Sequence, residues 1–271
     1  MNQKDVYKPV HLCTVLNKNR LDIIRTMNKD SNVYDNDEFF KSYSLMERSV
    51  YGLESAGEWP QFKQLIPDLK EKNVLDLGCG YGWHCRYAAE NGAAEITGID
   101  QSRKMIEEAV RRTNDDRITY RVCELLEYEY PKSSFDLVIS NLVLHYIEDL
   151  DDIYHKIYET LKDEGIFLFN IEHPVFTSCD KQKWCDCGRW PVSGYFHPGK
   201  RKTIFLNHEV EKYHHTLTQI IDGLLKQGFI IEAVQEVAPP EQWRDKMPEE
   251  MERPMMLLVR AKKITEILSL T

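Results

Sequence analysis

The sequence predicts an α/β fold in which a mostly parallel sheet carries helices on both faces. From Asn73 onward, short apolar segments alternate with segments of helical periodicity. The first apolar segment ends in a glycine-rich turn. The chain has 271 residues, of which 42% are hydrophobic and 29% charged, as expected for a globular chain with one large core.

The residues before the sheet predict a helical cap. Phe39, Tyr43, Met46 and Val50 follow helical spacing, and a break falls at residues 57–60, Gly-Glu-Trp-Pro. We therefore expect four parts along the chain: an N-terminal helical cap (1–70), an α/β core (71–173), a lid insertion (174–212) and a C-terminal completion of the core sheet (213–271).

The clearest strand and turn signals lie at the start of the core. Residues 74–77, Val-Leu-Asp-Leu, predict a strand, and the run Gly78–Gly82 predicts a sharp turn into a helix. A second strand over residues 95–99 ends at Asp100, and Ser102 is a suitable N-cap for the next helix.

Three more strands continue the pattern at residues 118–122, 135–140 and 165–169, with a helix over residues 150–161 between the last two. Strands that alternate with helices in this way are joined by crossovers, and they form a parallel sheet covered on both faces.

The alternation stops over residues 174–212, which are rich in Pro, Gly, Trp, Tyr and Cys and predict a lid. A helix over residues 213–227 is expected next, followed by strands at 229–237 and 255–260. Because no helix is expected between these two strands, one of them should be antiparallel to the rest of the sheet.

Charge and hydropathy exclude several classes of partner. The formal net charge is -9, which disfavours a nucleic-acid partner, and the basic run Lys200–Lys202 predicts only a solvated loop tip. No segment approaches the ~20 apolar residues that cross a bilayer, and the N-terminus lacks the apolar run of a signal peptide. We expect no membrane association and a cytoplasmic location.

The cysteines predict reduced thiols and no metal site. There are seven, an odd number, and several lie within predicted strands and helices. Cys179, Cys185 and Cys187 lie near His173 and His197 in the sequence, which raises a zinc hypothesis. The Cys185-x-Cys187 spacing is tighter than that of the usual structural zinc site, so we expect no metal.

The glycine turn and Asp100 together predict a nucleoside cofactor at the carboxyl ends of the strands. A carboxylate there can accept hydrogen bonds from a ribose diol. An NAD(P)-dependent oxidoreductase is the main alternative, but its fingerprint is G-x-G-x-x-G, whereas Gly78, Gly80 and Gly82 form G-x-G-x-G. Asp76 stands where it would repel a pyrophosphate, which favours a cationic cofactor without phosphates.

These segments resemble the motifs of class I S-adenosylmethionine-dependent methyltransferases. Residues 74–82 resemble the first motif, and residues 98–102 with Met105 resemble the second. Glu124 precedes the segment 135–140, which resembles the fourth-strand motif. The resemblance implies a Rossmann-like, seven-stranded, mostly parallel sheet in the order 3-2-1-4-5-7-6, with S-adenosyl-L-methionine as cofactor and S-adenosyl-L-homocysteine as product.

The resemblance also implies roles for individual residues. Asp76 and the turn that contains Gly78, Cys79 and Gly80 would receive the methionine part, and Asp100 the ribose. The adenine would be surrounded by Gln101 and Met105 and read by Glu124 and Leu125, with Glu127 as the alternative to Glu124. The sulfonium and the path to the acceptor would be lined by Asn141, Leu142 and His145.

The acceptor side is less sharply defined by the sequence. Residues 46–49, 57–60, 172–176 and 253–256 resemble a bacterial small-molecule-type subfamily, which implies a small or medium-sized acceptor. The sequence specifies neither the acceptor atom nor an oligomeric state. A protein that binds the cofactor without transferring the methyl group, as a regulator, is a further alternative.

Two histidines are candidates for a catalytic base, which is needed only if the acceptor must lose a proton. His145 follows the predicted fourth strand and His173 the fifth, and each has a structural hydrogen bond as its alternative role. Tyr34, Tyr43 and Arg48 are candidates for closing the cofactor pocket from the cap.

Overall fold

A computed structural model describes residues 14–16, 32–179 and 181–264. Most of the strands in these ranges form one eight-stranded sheet in the order β1-β4-β3-β2-β5-β6-β10-β9, and β7 and β8 form a separate hairpin. The strands are β1 (Thr14–Leu16), β2 (Asn73–Leu77), β3 (Glu95–Asp100), β4 (Ile118–Val122), β5 (Phe135–Asn141), β6 (Leu161–Glu172), β7 (Gly199–Phe205), β8 (His208–His214), β9 (Phe229–Glu236) and β10 (Met256–Lys263).

The predicted order of the seven core strands is confirmed. The neighbouring pairs from β4 to β6 are parallel, while β10 is antiparallel to both β6 and β9. The eighth strand, β1, pairs antiparallel with β4 at the edge of the sheet and was not predicted. It lies in the part of the chain that was expected to be helical, of which residues 1–13 and 17–31 fall outside the described residues.

Helices cover both faces of the sheet. Successive residues of β2 point to opposite faces, so that Val74 joins one apolar cluster while Leu75 and Leu77 join the other. The helices are α1 (Asp37–Ser44), α2 (Glu47–Tyr51), α3 (Trp59–Leu65), α4 (Trp83–Glu90), α5 (Arg103–Arg112), α6 (Leu150–Thr160), α7 (Pro174–Thr177), α8 (Leu217–Lys226) and α9 (Pro248–Glu252).

Helices α1 and α2 precede the predicted break at residues 57–60, and α3 begins within it, at Trp59. Helices α3, α4 and α5 pack on one face of the sheet, and α6 and α8 on the other. None of the helices in the described ranges has the length and apolar character that a bilayer-spanning helix requires.

Two predictions about the last third of the chain are wrong. The helix expected from residue 213 begins only at Leu217, because residues 208–214 form β8. The run Lys200–Lys202 lies within β7 and is not a loop tip. Leu206 and Asn207, both with positive φ, form the two-residue turn between the strands, the backbone conformation that favours a tight hairpin.

The segment that joins β9 to β10 also differs from the prediction. It contains α9 and a short 3-10 helix at Glu241–Trp243, whereas no helix was expected there. β9 and β10 are antiparallel, as predicted, although the premise of that prediction, a connection without helices, is wrong.

The prediction that the cysteines are reduced is wrong in part. Cys185 and Cys187 form a disulfide within the lid, and Cys123 is also disulfide-bonded. Cys79, Cys85 and Cys179 are free thiols. Across the described ranges, no group of three or more His, Cys, Asp or Glu side chains has an arrangement that could hold a metal ion.

Candidate functional site

A cavity of about 360 Å³ opens at the carboxyl ends of β2, β3 and β5, where parallel α/β sheets bind their ligands. The structure brings most of the predicted site residues together around it. Those that line it are Gly78, Cys79, Gly80, Asp100, Gln101, Met105, Glu124, Leu125, Asn141, Leu142 and His145. Glu127, the alternative to Glu124, is not in the lining.

The glycine turn after β2 shapes one wall of this cavity. A Cβ atom at Gly78 would lie 2.3 Å from Val143 Cγ2, and one at Gly82 would lie 2.1 Å from the Tyr120 hydroxyl. Gly80 also has positive φ, but no atom lies within 4 Å of its Cβ position. The first and third glycines are therefore required by packing, while Gly80 presents bare backbone to open space.

Asp100 holds this turn in place from the end of β3. Its carboxylate accepts hydrogen bonds from the backbone N–H groups of Gly80, at 2.9 Å, and Ser102, at 2.8 Å. Burial raises the pKa of Asp100 to about 6, although the two backbone donors oppose the shift. The residue thus presents a desolvated carboxylate to the cavity.

Asp76 lies behind the turn and not at the cavity surface. Its side chain is 1% exposed, and it accepts a hydrogen bond from the Cys85 thiol at 3.3 Å. Burial raises the pKa of Asp76 to about 7. Asp76 is not among the residues that line the cavity, because its side chain points from β2 into the core. The structure therefore does not support the expected direct contact between Asp76 and the methionine part of the cofactor.

His173 is also not brought to the cavity. Its Nδ1 accepts a hydrogen bond from the backbone N–H of Val175 and so caps α7, while its Nε2 lies 3.1 Å from Glu236. These contacts engage both ring nitrogens. His173 therefore has the structural hydrogen-bonding role that was its alternative, and the structure does not support it as a catalytic base.

His145, by contrast, lines the cavity and is buried. Its Nε2 lies 3.9 Å from Glu172 Oε1, and its Nδ1 has no hydrogen-bond partner among the described residues. Burial lowers the pKa of His145 to about 4, against the opposing effect of Glu172. The imidazole is therefore neutral at physiological pH and has an unused ring nitrogen.

The cap contributes the opposite wall, as expected for Tyr34, Tyr43 and Arg48, all of which line the cavity. The Tyr34 hydroxyl lies 2.9 Å from that of Tyr146, which follows β5. Burial raises the pKa of Tyr34 well above its usual value, so this hydroxyl stays protonated.

A buried polar chain joins the cap to the centre of the sheet. Arg48 donates to Glu58, and Asn141 donates to the same carboxylate oxygen at 3.0 Å. Asn170 on β6 in turn donates to Asn141 Oδ1 at 2.9 Å. Burial alone would raise the pKa of Glu58, but Arg48 and Asn141 lower it overall, so Glu58 is a carboxylate.

Several cavity residues were missed by the sequence analysis, notably Trp83, His84, Val143, Tyr146, Phe205 and Lys212. Phe205 and Lys212 belong to the β7–β8 hairpin, which was expected to be partly loop and partly helix. The alternation of inward and outward residues was the sequence signal that could have revealed this hairpin. Polar residues on the inward face obscured that alternation.

Comparison with known proteins places this site in a family. A methyltransferase domain family matches residues 75–169. An S-adenosylmethionine-dependent methyltransferase from Mesorhizobium loti is 38% identical over 78% of this chain and all of its own, with a TM-score of 0.73. A Listeria monocytogenes structure assigned to the same enzymes is 44% identical over 79% of this chain and all of its own, with a TM-score of 0.75.

A more distant relative is a phosphoethanolamine N-methyltransferase from Plasmodium falciparum, which is 26% identical over 60% of this chain and 63% of its own length. These similarities exclude the nicotinamide alternative, since the full-length relatives use another cofactor. The chain belongs to the class I S-adenosylmethionine-dependent methyltransferases, and its cofactor is S-adenosylmethionine.

Proposed function

We propose that the protein transfers a methyl group to a small or medium-sized molecule that enters the cavity beside His145. The observation that carries this proposal is the enclosure of His145, Tyr34 and Tyr146 in the same cavity as the glycine turn and Asp100. A cavity of about 360 Å³ is of the size that encloses a small ligand. The P. falciparum relative is named for a small-molecule acceptor, which supports the same class.

The residues present fit the cofactor. The open space over Gly80 admits a ligand close to the backbone, and Asp100 adds a half-buried carboxylate beside it. We assign Asp100 to the ribose hydroxyls, Met105, Gln101, Glu124 and Leu125 to the adenine, and Gly78, Cys79, Gly80, Asn141 and Leu142 to the methionine and sulfonium. Asp76 supports the turn from behind, through burial and its contact with Cys85.

S-adenosylmethionine supplies a methyl group that is already activated on a sulfonium, so the chain mainly has to align the acceptor and exclude water. Tyr34 packs edge to face against Tyr43 and Tyr146, and the three rings give the cavity an apolar wall that favours exclusion of water. Glu172 near Nε2 of His145 favours a proton on that nitrogen, which leaves Nδ1 free to accept a proton from the acceptor.

The experiment that tests this proposal combines binding with turnover. Calorimetry with S-adenosylhomocysteine should show tight binding to the purified protein. Incubation with S-adenosylmethionine and a panel of small amines, alcohols, thiols and acids should then release S-adenosylhomocysteine with at least one acceptor class. Binding without release across the whole panel would instead favour the non-catalytic regulator.

A further inference from the structure

A lysine lies buried on the inward face of the β7–β8 hairpin. The burial of β8 alternates, so that Val210, Lys212 and His214 point inward while Glu209 and Glu211 point outward. The Lys212 side chain is 8% exposed and lines the cavity. Burying an ammonium group is costly, so a lysine in an inward position of an otherwise regular strand calls for a specific reason.

One partner of Lys212 is Glu172, at the end of β6. Burial alone would raise the pKa of Glu172, but the Lys212 ammonium and the hydrogen bonds from Lys212 and Gln182 act against burial, so the pair is ionised. Gln182 donates to the other oxygen of Glu172 at 3.4 Å. Both oxygens of this carboxylate are therefore already engaged by the protein.

The ammonium group is less fully engaged than the carboxylate. An ammonium has three donors, and Glu172 is the one acceptor that Lys212 Nζ has among the described residues. Two donors are left to serve a ligand. The neutral His145 adds no charge, and both oxygens of Glu172 are engaged, so the unpaired donors at this end of the cavity are those of Lys212.

The aromatic residues of the cavity point to the same ligand chemistry. Lys212 Nζ lies 5.9 Å from the Tyr146 ring centre and 5.5 Å from that of Phe205, so the protein's own cation already lies over one face of each ring. A second cation placed here would be repelled by Lys212 and by the sulfonium of the cofactor. An anion would be attracted by both.

We propose that the methyl acceptor carries an anionic oxygen group, a carboxylate or a phosphate, which Lys212 binds while the aromatic side chains of Phe205, Tyr34 and Tyr146 pack against its body. This inference rests on the proposed function, because it assumes that the acceptor enters this cavity. Lys212 is then a specificity residue: it selects acid-bearing molecules and places their nucleophile beside His145.

The test uses protein loaded with S-adenosylhomocysteine and four probes of one shape: benzoate, phenyl phosphate, neutral benzamide and cationic benzylamine. Calorimetric titration should show binding of at least one anion, with benzamide about tenfold weaker or worse and no binding of benzylamine. Comparison of benzoate with phenyl phosphate distinguishes a carboxylate site from a phosphate site. Equal or tighter binding of benzamide or benzylamine to the wild-type protein would overturn the proposal, whatever the variants do.

Two matched variants assign the effect to Lys212. Lys212→Met keeps the length of the side chain and should weaken anion binding by about tenfold or more, whereas Lys212→Arg should retain most of it. Lys202→Met is the control, because Lys202 is an exposed lysine on the same hairpin that also pairs with glutamates. Anion affinity that is unchanged in Lys212→Met would also contradict the assignment.

Binding of S-adenosylhomocysteine to each variant separates this inference from the proposed function. If the wild-type protein does not bind S-adenosylhomocysteine, the proposed function fails. If it binds S-adenosylhomocysteine and no anionic probe, only the inference about the acceptor fails.

Discussion

Single residues show how burial determines the chemistry of this site. Asp76 lies in β2 and Asp100 ends the neighbouring strand β3, and burial raises the pKa of both. Their partners differ, since Asp100 accepts from two backbone N–H groups and Asp76 only from a thiol. Substitution of Asp100 should therefore change ligand binding, whereas substitution of Asp76 should change the stability of the fold.

Replacing Asp100 should weaken the cofactor site directly. Asp100→Ala should reduce the affinity for S-adenosylhomocysteine by about 2 kcal/mol, because a charge-assisted hydrogen-bond acceptor is lost. Isothermal titration calorimetry measures this change. Asp115→Ala removes a carboxylate that pairs with Arg117 outside the cavity, and it should leave the affinity unchanged. An equal effect of both substitutions would contradict the assignment of Asp100 to the cofactor.

Asp76 should affect stability in a pH-dependent way. Its pKa of about 7 in the folded protein exceeds that of an unfolded aspartate, so the folded state holds the proton more firmly. The stability that this group contributes is present at acidic pH and is lost as the pH rises through about 7. Asp76→Asn should therefore raise the free energy of unfolding at pH 8 by roughly 1 to 3 kcal/mol and change it little at pH 4.

Chemical denaturation of both proteins at the two pH values gives the comparison. Asp163→Asn, at an exposed position of β6, is the control and should show no such difference. A loss of stability at pH 8 in Asp76→Asn would show that the buried carboxylate is net favourable and would contradict the prediction.

Among the elements, the turn between β2 and α4 separates packing from function. Gly78 and Gly80 both have positive φ, but only Gly78 has a close neighbour, Val143, where a Cβ would lie. Both positions would suffer backbone strain from alanine, whereas only one would also suffer a steric clash.

The two alanine substitutions should therefore differ in their effects. Gly80→Ala should cost about 1 kcal/mol of unfolding free energy and lower the affinity for S-adenosylhomocysteine, because a methyl group then enters the ligand space. Gly78→Ala should cost roughly 2 kcal/mol or more, because the clash with Val143 adds to the strain. Denaturation and calorimetry on the pair test this, and equal losses of stability would contradict it.

The elements also show why part of the molecule could be predicted from the sequence. The strands β2, β3 and β5 consist of short apolar runs, and the polar residues that follow them must gather at one sheet edge. Asp100 and Asn141 were therefore predictable as site residues. The inward face of β8 carries Lys212 and His214, so it lacks an apolar alternation; residues up to 212 were interpreted as part of the lid, and 213–214 as the start of a helix.

The acceptor end could not be predicted for a related reason. His145, Glu172 and Lys212 come from three segments that only the tertiary structure brings together. His173 has the same sequence context as a catalytic histidine, directly after a strand. Its capping bond to Val175 and its contact with Glu236 became visible only once α7 and β9 were in place.

At the scale of the whole molecule, the cavity is covered from two sides. Phe39 of α1 lies against Phe205 and His208 of the hairpin, with ring centres 5.8 and 5.5 Å apart. The cap and the hairpin therefore meet over the sheet edge and close the space above the glycine turn. A ligand that fills this space should stabilise both.

Hydrogen–deuterium exchange should reveal this coupling. Binding of S-adenosylhomocysteine should slow exchange in α1 and in β7–β8 as well as in the glycine turn, because opening either cover would expose the ligand. Exchange in β9, at the far edge of the sheet, should be unchanged and provides the internal control. Protection confined to the glycine turn would show that the covers do not respond to the cofactor.

The chain of polar contacts from Arg48 through Glu58 and Asn141 to Asn170 has a consequence for how the protein can change over generations. Each amide or carboxylate in it satisfies the next, so an exchange at one link leaves its neighbour with a buried, unmatched polar atom. The cap helices and the central strands must therefore vary together. The hairpin that carries Lys212 lies outside this chain of contacts, so substitutions on the hairpin leave these four polar residues paired.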